Sequence, residues 1–273
     1  MSDLPEPVNA LWYLIGKLYL REYVVREFQL EIETNDGLMD VFICDPEEGG
    51  PHPVIIFYMD APGIREELRG MARRLSSAGY YVFLPNMYYR VGREGNYGFD
   101  LGKIGSEDSQ RKKMFEVMNS LNNSLVISDT AAILEYIRSH GVAGNAGIGC
   151  VGYCMSGQYV MSVAAAFPDD FMAIASFYGV GIITDKDDSP HLCAKDIRGE
   201  VYLAFASNDP FVPSGVLDSI PNVLDAAKVN YSIEVYPNTE HGFAFAERPV
   251  YAKEAAELHW KRLFELYARN LGN

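Results

Sequence analysis

The chain has 273 residues, 48% of them apolar, with 24 glycines and 14 prolines, so it can bury a sizeable core at the upper end of a single α/β domain. Twenty-three Lys and Arg against 37 Asp and Glu leave a net charge of −14, which repels phosphate backbones and anionic lipid. That excludes nucleic-acid and membrane partners and leaves a small molecule as the expected one. Four cysteines, Cys44, Cys150, Cys154 and Cys193, are too few and too irregularly spaced for a disulfide framework and show no paired metal-ligand pattern. Reduced thiols in a cytoplasmic protein, with no metal and no cofactor, are the expectation.

In chain order, the N-terminus carries Asp3 and Glu6 where a signal peptide would carry Lys or Arg, and Lys17 interrupts the apolar stretch Leu11 to Leu20. This reads as an amphipathic helix from Ala10 to Arg21, within an N-terminal extension of residues 1–26. Phe28 to Glu33 alternates apolar and polar, Asn35-Asp36-Gly37 signals a turn, and Met39 to Cys44 resumes the β pattern, predicting an antiparallel hairpin at a sheet edge. Short runs without alternation follow: Val54 to Tyr58, Tyr80 to Leu84, Gly149 to Gly152, Ala173 to Phe177, Val201 to Ala206 and Ser232 to Tyr236. Such runs are strands buried on both faces, as in a parallel sheet. Helical periods separate them at Glu66 to Ala78, Asp129 to His140, Gly157 to Phe167, Gly215 to Lys228 and Val250 to Leu271, with additional helical material over Glu107 to Asn123. Pro46 to Pro53 is a turn-rich joint, but no repeat or linker divides the chain, so residues 1–273 read as one domain. Strand–helix alternation specifies a doubly wound, mostly parallel sheet of about eight strands with its active site at the carboxyl ends of the strands.

The sharpest local feature is Ile148-Gly149-Cys150-Val151-Gly152-Tyr153-Cys154-Met155-Ser156-Gly157-Gln158, a buried strand running through small residues into a helix. A nucleophile on such an elbow needs small residues two before and two after it, because the turn presses those backbones against their neighbours. Gly152 and Ser156 meet that need around Cys154. Ser156 is the rival nucleophile, but Cys154 would then hold the preceding small position and the strand would end two residues late. Cys150 fits a buried strand position, where cysteine is an inert small hydrophobe. Downstream, strand Val201 to Ala206 ends in Ser207-Asn208-Asp209-Pro210, and strand Ser232 to Tyr236 ends in Pro237-Asn238-Thr239-Glu240-His241-Gly242-Phe243. Asp209 and His241 therefore stand in loops at carboxyl strand ends, in the nucleophile–acid–histidine order of an α/β-hydrolase triad.

With these motifs the chain, from about Glu27 to its C-terminal helix, resembles the dienelactone hydrolase (carboxymethylenebutenolidase) family of the α/β-hydrolase fold. Gly152-Tyr153-Cys154-Met155-Ser156-Gly157 is similar to the family's cysteine elbow, with Ser156 where many members have Gly. Asp209 with Val212-Pro213, and His241 with Phe243, match the other two motifs. The resemblance implies that Asp60, in Tyr58-Met59-Asp60-Ala61-Pro62-Gly63, occupies the place of a carboxylate, often Glu, that contacts the resting thiol; the simpler role for Asp60 is a cap on the following helix. It likewise implies that Arg90 binds a substrate carboxylate. A second carboxylate-binding arginine of the family falls at Phe245, which removes one cationic contact and predicts a less acidic or more aromatic ester or lactone, with Phe245 in apolar contact and Arg248 a further cation nearby.

The chemistry expected is attack by the Cys154 thiolate on an ester or lactone carbonyl, with His241 moving the proton, Asp209 orienting the ring, and an acyl thioester released by water. The backbone N–H groups of Met155 and Ala61 are the expected oxyanion hole. Tyr58, Tyr88 and Tyr89 are candidates for an aromatic pocket wall. A general carboxylesterase or thioesterase on the same triad, and a non-catalytic redox-sensing relative using Cys154, are the alternatives; the chain is expected to act as a monomer or homodimer.

Overall fold

The computed structural model describes residues 23–143 and 147–272, so the expected helix Ala10 to Arg21 lies outside the described residues. Eight strands form one sheet: β1 (Val25–Thr34), β2 (Gly37–Pro46), β3 (Val54–Tyr58), β4 (Tyr81–Pro85), β5 (Ile148–Tyr153), β6 (Phe171–Phe177), β7 (Glu200–Asn208) and β8 (Tyr231–Glu240), in the spatial order β1-β2-β4-β3-β5-β6-β7-β8. Among the described residues six α-helices accompany them: α1 (Glu66–Ser77), α2 (Asp108–Met118), α3 (Asn123–Ser139), α4 (Gly157–Ala166), α5 (Ser214–Ala227) and α6 (Lys253–Asn270).

The β1–β2 hairpin closes through Asn35-Asp36, with Thr34 opposite Gly37, and Gly37 takes a φ of 128° that a side chain would resist. Within the hairpin β1 is the edge strand, because β2 continues antiparallel onto β4 with Cys44 opposite Val82, and β8 forms the opposite edge of the sheet. From β4 to β8 every pairing is parallel. Each residue of β3 and of β5 is buried, as expected of strands covered on both faces. The expected Glu107 to Asn123 helix instead ends at Met118, and α3 starts six residues before Asp129. The Asn122 side chain explains this, accepting the Leu125 amide at 2.9 Å and capping α3.

The layout brings four loops together at the carboxyl ends of β3, β5, β7 and β8, beside the point where the strand order turns back on itself. Helix α4 begins against the loop that follows β6, so tightly that a Cβ on Gly157 would stand 2.2 Å from the Gly179 Cα. In α1, by contrast, a Cβ on Gly70 would meet nothing within 4 Å. Urea unfolding is therefore expected to show Gly157→Ala less stable by about 1–3 kcal/mol through overpacking, and Gly70→Ala more stable by about 0.5–1 kcal/mol through helix propensity.

Candidate active site

Cys154 leaves β5 with a φ of 55°, a left-handed conformation that costs a β-carbon-bearing residue energy and is kept only where surroundings enforce it. Three contacts enforce it. A Cβ on Gly152 would fall 2.6 Å from the Ser156 carbonyl oxygen and 2.8 Å from Val160, so the strand must reach the turn as glycine. Ser156 is fully buried and its hydroxyl donates to the Met59 carbonyl, tying the turn to the end of β3. The Cys154 carbonyl accepts the Val180 amide at 2.9 Å. Ser156 thus spends its hydroxyl inside the fold, while the half-buried Cys154 lines a cavity of about 300 Å³.

His241 lines the same cavity. Its Nδ1 lies 2.8 Å from Asp209 Oδ2, and the second oxygen of Asp209 accepts the Phe211 amide at 2.9 Å, so the carboxylate is fixed from two sides. The imidazole packs edge-on against Tyr178 at 5.1 Å and Phe211 at 4.8 Å. His241 Nε2 is buried without a well-formed hydrogen bond, and Cys154 is the group beside Asp209 that acts on the ring. Burial works against the imidazolium, but Asp209 and Cys154 outweigh it and push the His241 pKa up to about 9.

Ala61 borders the cavity. The Tyr88 hydroxyl donates to the Ala61 carbonyl at 2.9 Å and reaches the Met155 sulfur at 3.3 Å, so one buried phenol spans the two loops that carry Ala61 and Met155. Tyr88 is therefore a support behind the cavity. Tyr58 is also removed from it, its hydroxyl 2.8 Å from Thr130 Oγ1.

Asp60 is fully buried, and both its oxygens are taken. Arg65 donates to them at 2.5 and 3.2 Å and Arg248 at 2.9 Å, while Arg65 also pairs with Glu247. Burial raises the pKa values of Tyr88 and Tyr178 well above the usual phenol range, and the charge of Asp60 adds to it.

Arg90, Tyr89 and Phe245 do not come to the cavity. Arg90 donates to Asp129 at 2.9 and 2.7 Å and to Asp36 at 2.8 Å, and lies over the Tyr89 ring at 4.4 Å. The Tyr89 hydroxyl donates to the same Asp129 at 2.9 Å. A carboxylate on α3 has captured both, so the cluster joins α3 to the hairpin turn. Phe245, fully buried, packs on Tyr153 and Tyr178 and is flanked by the guanidinium groups of Arg65 and Arg248 at 5.2 and 5.5 Å. It props Arg248, one of the two arginines that line the cavity. Sequence reasoning missed Arg65 and the cavity face of α2, whose residues Arg111, Met114, Phe115 and Met118 follow an i, i+3, i+4, i+7 stripe that was available as a signal. Among the described residues no group of three or more His, Cys, Asp or Glu is placed to hold a metal ion, and no helix is long and apolar enough to cross a membrane.

Comparison with known proteins identifies the family. Residues 39–271 match the model of the dienelactone hydrolase family. The chain belongs to the dienelactone hydrolase family. A "Putative carboxymethylenebutenolidase" of Methylorubrum extorquens is 27% identical over 239 residues, covering 86% of this chain and 78% of that one, and a Synechocystis protein of the same description is 26% identical over 84% and 91%. A crystal structure described as a "Putative Dienelactone Hydrolase" from Klebsiella pneumoniae superposes with a TM-score of 0.78 at 23% identity, covering 90% of this chain and 99% of that one. A dienelactone hydrolase-like promiscuous phosphotriesterase from metagenomic libraries gives 0.72 at 16% identity, over 91% and 99%. The fold of this family member is that of its structural neighbours, an eight-stranded, mostly parallel α/β-hydrolase sheet opened by an antiparallel hairpin.

The buried carboxylate carries a stability consequence. Removing one partner of a buried pair strands the other charge, at about 3–5 kcal/mol. Arg65→Ala is expected to cost about 3 kcal/mol in chemical denaturation, whereas Arg138→Ala, which breaks the half-exposed Arg138–Asp170 pair, costs less than about 1 kcal/mol.

Proposed function

We propose that this family member hydrolyses an ester or lactone through a Cys154–His241–Asp209 triad and an acyl-thioester intermediate. The observation that carries the reading is the meeting of a left-handed Cys154 and an Asp209-bound His241 in one cavity. An imidazolium beside a sulfur favours thiolate, the nucleophilic form, and the start of α4 points its first amides toward the same turn. The thiolate adds to the carbonyl carbon, and the carbon–oxygen double bond becomes an oxyanion. The amides of Met155 and Ala61 receive that charge. The oxyanion then collapses, the bond to the leaving alkoxide breaks, and His241 supplies the alkoxide's proton. Water, deprotonated by His241, attacks the thioester carbonyl, and the acid departs as the thiolate is regenerated. Asp209 keeps Nδ1 protonated so that Nε2 faces the reaction. A small-molecule ester or lactone is the partner this chemistry requires, whether the enzyme is a lactonase or a broader carboxylesterase.

Steady-state kinetics on an aryl ester tests the assignment. Cys154→Ala is expected to abolish turnover, and His241→Ala to lower kcat by about 10²–10⁴-fold with a small change in KM, because the proton transfer is made in the transition state. Turnover that survives Cys154→Ala and disappears in Ser156→Ala reverses the assignment of the nucleophile. Absence of turnover in the unaltered protein, together with oxidation of Cys154 on peroxide treatment, favours the redox-sensing alternative.

Asp60 acts in this reading as the electrostatic setting of the thiol, transmitted through Arg248. Replacing it by Asn removes a negative charge, leaving Arg248 without its carboxylate and Arg65 with Glu247 alone, which favours thiolate. Asp60→Asn is therefore expected to move the midpoint of Cys154 alkylation by iodoacetamide to lower pH. An unchanged profile in a folded variant reduces Asp60 to an anchor for the arginines.

A further inference from the structure

Cavity walls, rather than the triad, carry information about what is hydrolysed. Helix α2 is an exposed helix in which Met114 alone is buried, yet one stripe of it faces the cavity that holds Cys154. On that stripe Arg111 is followed by Met114, Phe115 and Met118, and Ile104 adjoins them from the segment just before the helix. Val180, after β6, and Phe211, after β7, complete an apolar lining, with the Phe211 ring set edge-on to His241. No carboxylate lines the cavity among the described residues. Each of its two arginines has a carboxylate partner of its own, Arg111 the exposed Asp108 on the same helix and Arg248 the buried Asp60. A ligand carboxylate would share a guanidinium with one of these partners, in a molecule whose overall charge of −14 opposes its approach.

We propose that α2 is the specificity element of the site, and that Met114, Phe115 and Met118 receive an uncharged apolar acyl or aryl portion of the ester. The inference rests on the hydrolase reading above and adds the substrate class. Flexible thioethers and a single aromatic ring suit alkyl chains and aryl groups of varied shape. Each methylene that enters such a surface from water contributes about 0.8 kcal/mol, and the enzyme realises it in kcat/KM. A cavity of about 300 Å³ has room for several such groups.

The test compares 4-nitrophenyl esters from acetate to hexanoate. In the unaltered protein kcat/KM is expected to rise about three- to four-fold per methylene, and the anionic 4-nitrophenyl hydrogen succinate to fall at least about ten-fold below the pentanoate. The Phe115→Ala/Met118→Ala double variant is expected to reduce the rise to under about two-fold per methylene, whereas Lys113→Ala, on the exposed side of α2, keeps it. A flat series in the unaltered protein, a slope untouched by the double variant, or preference for the succinate overturns the proposal. Labelling of Cys154 by N-alkylmaleimides of increasing length, located by peptide mass mapping, reads the same surface without ester turnover. Chain-length acceleration there, lost in the double variant, supports the apolar surface even if no ester is hydrolysed, in which case the hydrolase reading alone fails; labelling indifferent to chain length overturns the role of α2.

Discussion

The backbone of Cys154 is the constraint on which the site depends. A left-handed conformation at a β-carbon-bearing residue persists only where neighbours over-determine it, and here the neighbours are specific: Gly152 against the Ser156 carbonyl, Ser156 bound to Met59, and Gly157 against Gly179. Those contacts join β5 to the loops after β3 and β6, so the turn is held by the same sheet that positions its partners. The strain is offset by the core, and Cys154 lines the cavity together with His241 at the carboxyl ends of the strands.

Around that turn the protein separates charge by depth. Asp209 is held by His241 and by the Phe211 amide, while Asp60 is held by Arg65 and Arg248, and both carboxylates are buried. Each is compensated locally, and in a chain with 14 excess negative charges no carboxylate lines the cavity among the described residues. Tyr153, the residue before Cys154, completes the arrangement from below: its hydroxyl lies 2.6 Å from Nε2 of the fully buried His259, whose other nitrogen bonds the Ala256 carbonyl at 3.1 Å. Burial lowers the His259 pKa to about 3, so this histidine is a neutral link between the elbow strand and α6, in contrast to His241, whose pKa Asp209 and Cys154 raise.

Much of the architecture could be read in the chain because burial on both faces leaves an unmistakable mark. The runs at Val54 to Tyr58 and Gly149 to Gly152 have no polar interruption, and the loop bearing Asp209 follows such a run directly; the strand before His241 carries Ser232 and Glu234 and is only half-buried, because β8 is an edge of the sheet. Loop positions at carboxyl strand ends are set by topology, so Cys154, Asp209 and His241 could be placed without knowing any side-chain direction. Direction is what failed elsewhere. Arg90 stands on a loop near the active end of the sheet, but Asp129 six residues into α3 and Asp36 in the hairpin turn compete for its guanidinium, and neither is near it in sequence. Phe245 lies four residues after His241, yet turns inward because an aromatic cluster of Tyr153 and Tyr178 is there to receive it. The start of α3 was missed for a local reason, the Asn122 cap. Arg65 was overlooked because nothing local shows that a helix-start arginine will find a buried carboxylate five residues earlier.

The central claim, that a strained Cys154 thiolate becomes acylated, is tested most directly by trapping the intermediate. The protein mixed with a slowly released aryl ester, quenched in acid and digested, is to be mapped by mass spectrometry. The account predicts a single acyl group on the peptide carrying Cys154, cleaved by hydroxylamine at neutral pH as a thioester is. An acyl group on Ser156, or ester turnover at a rate that leaves Cys154 unmodified at every quench time, would contradict it.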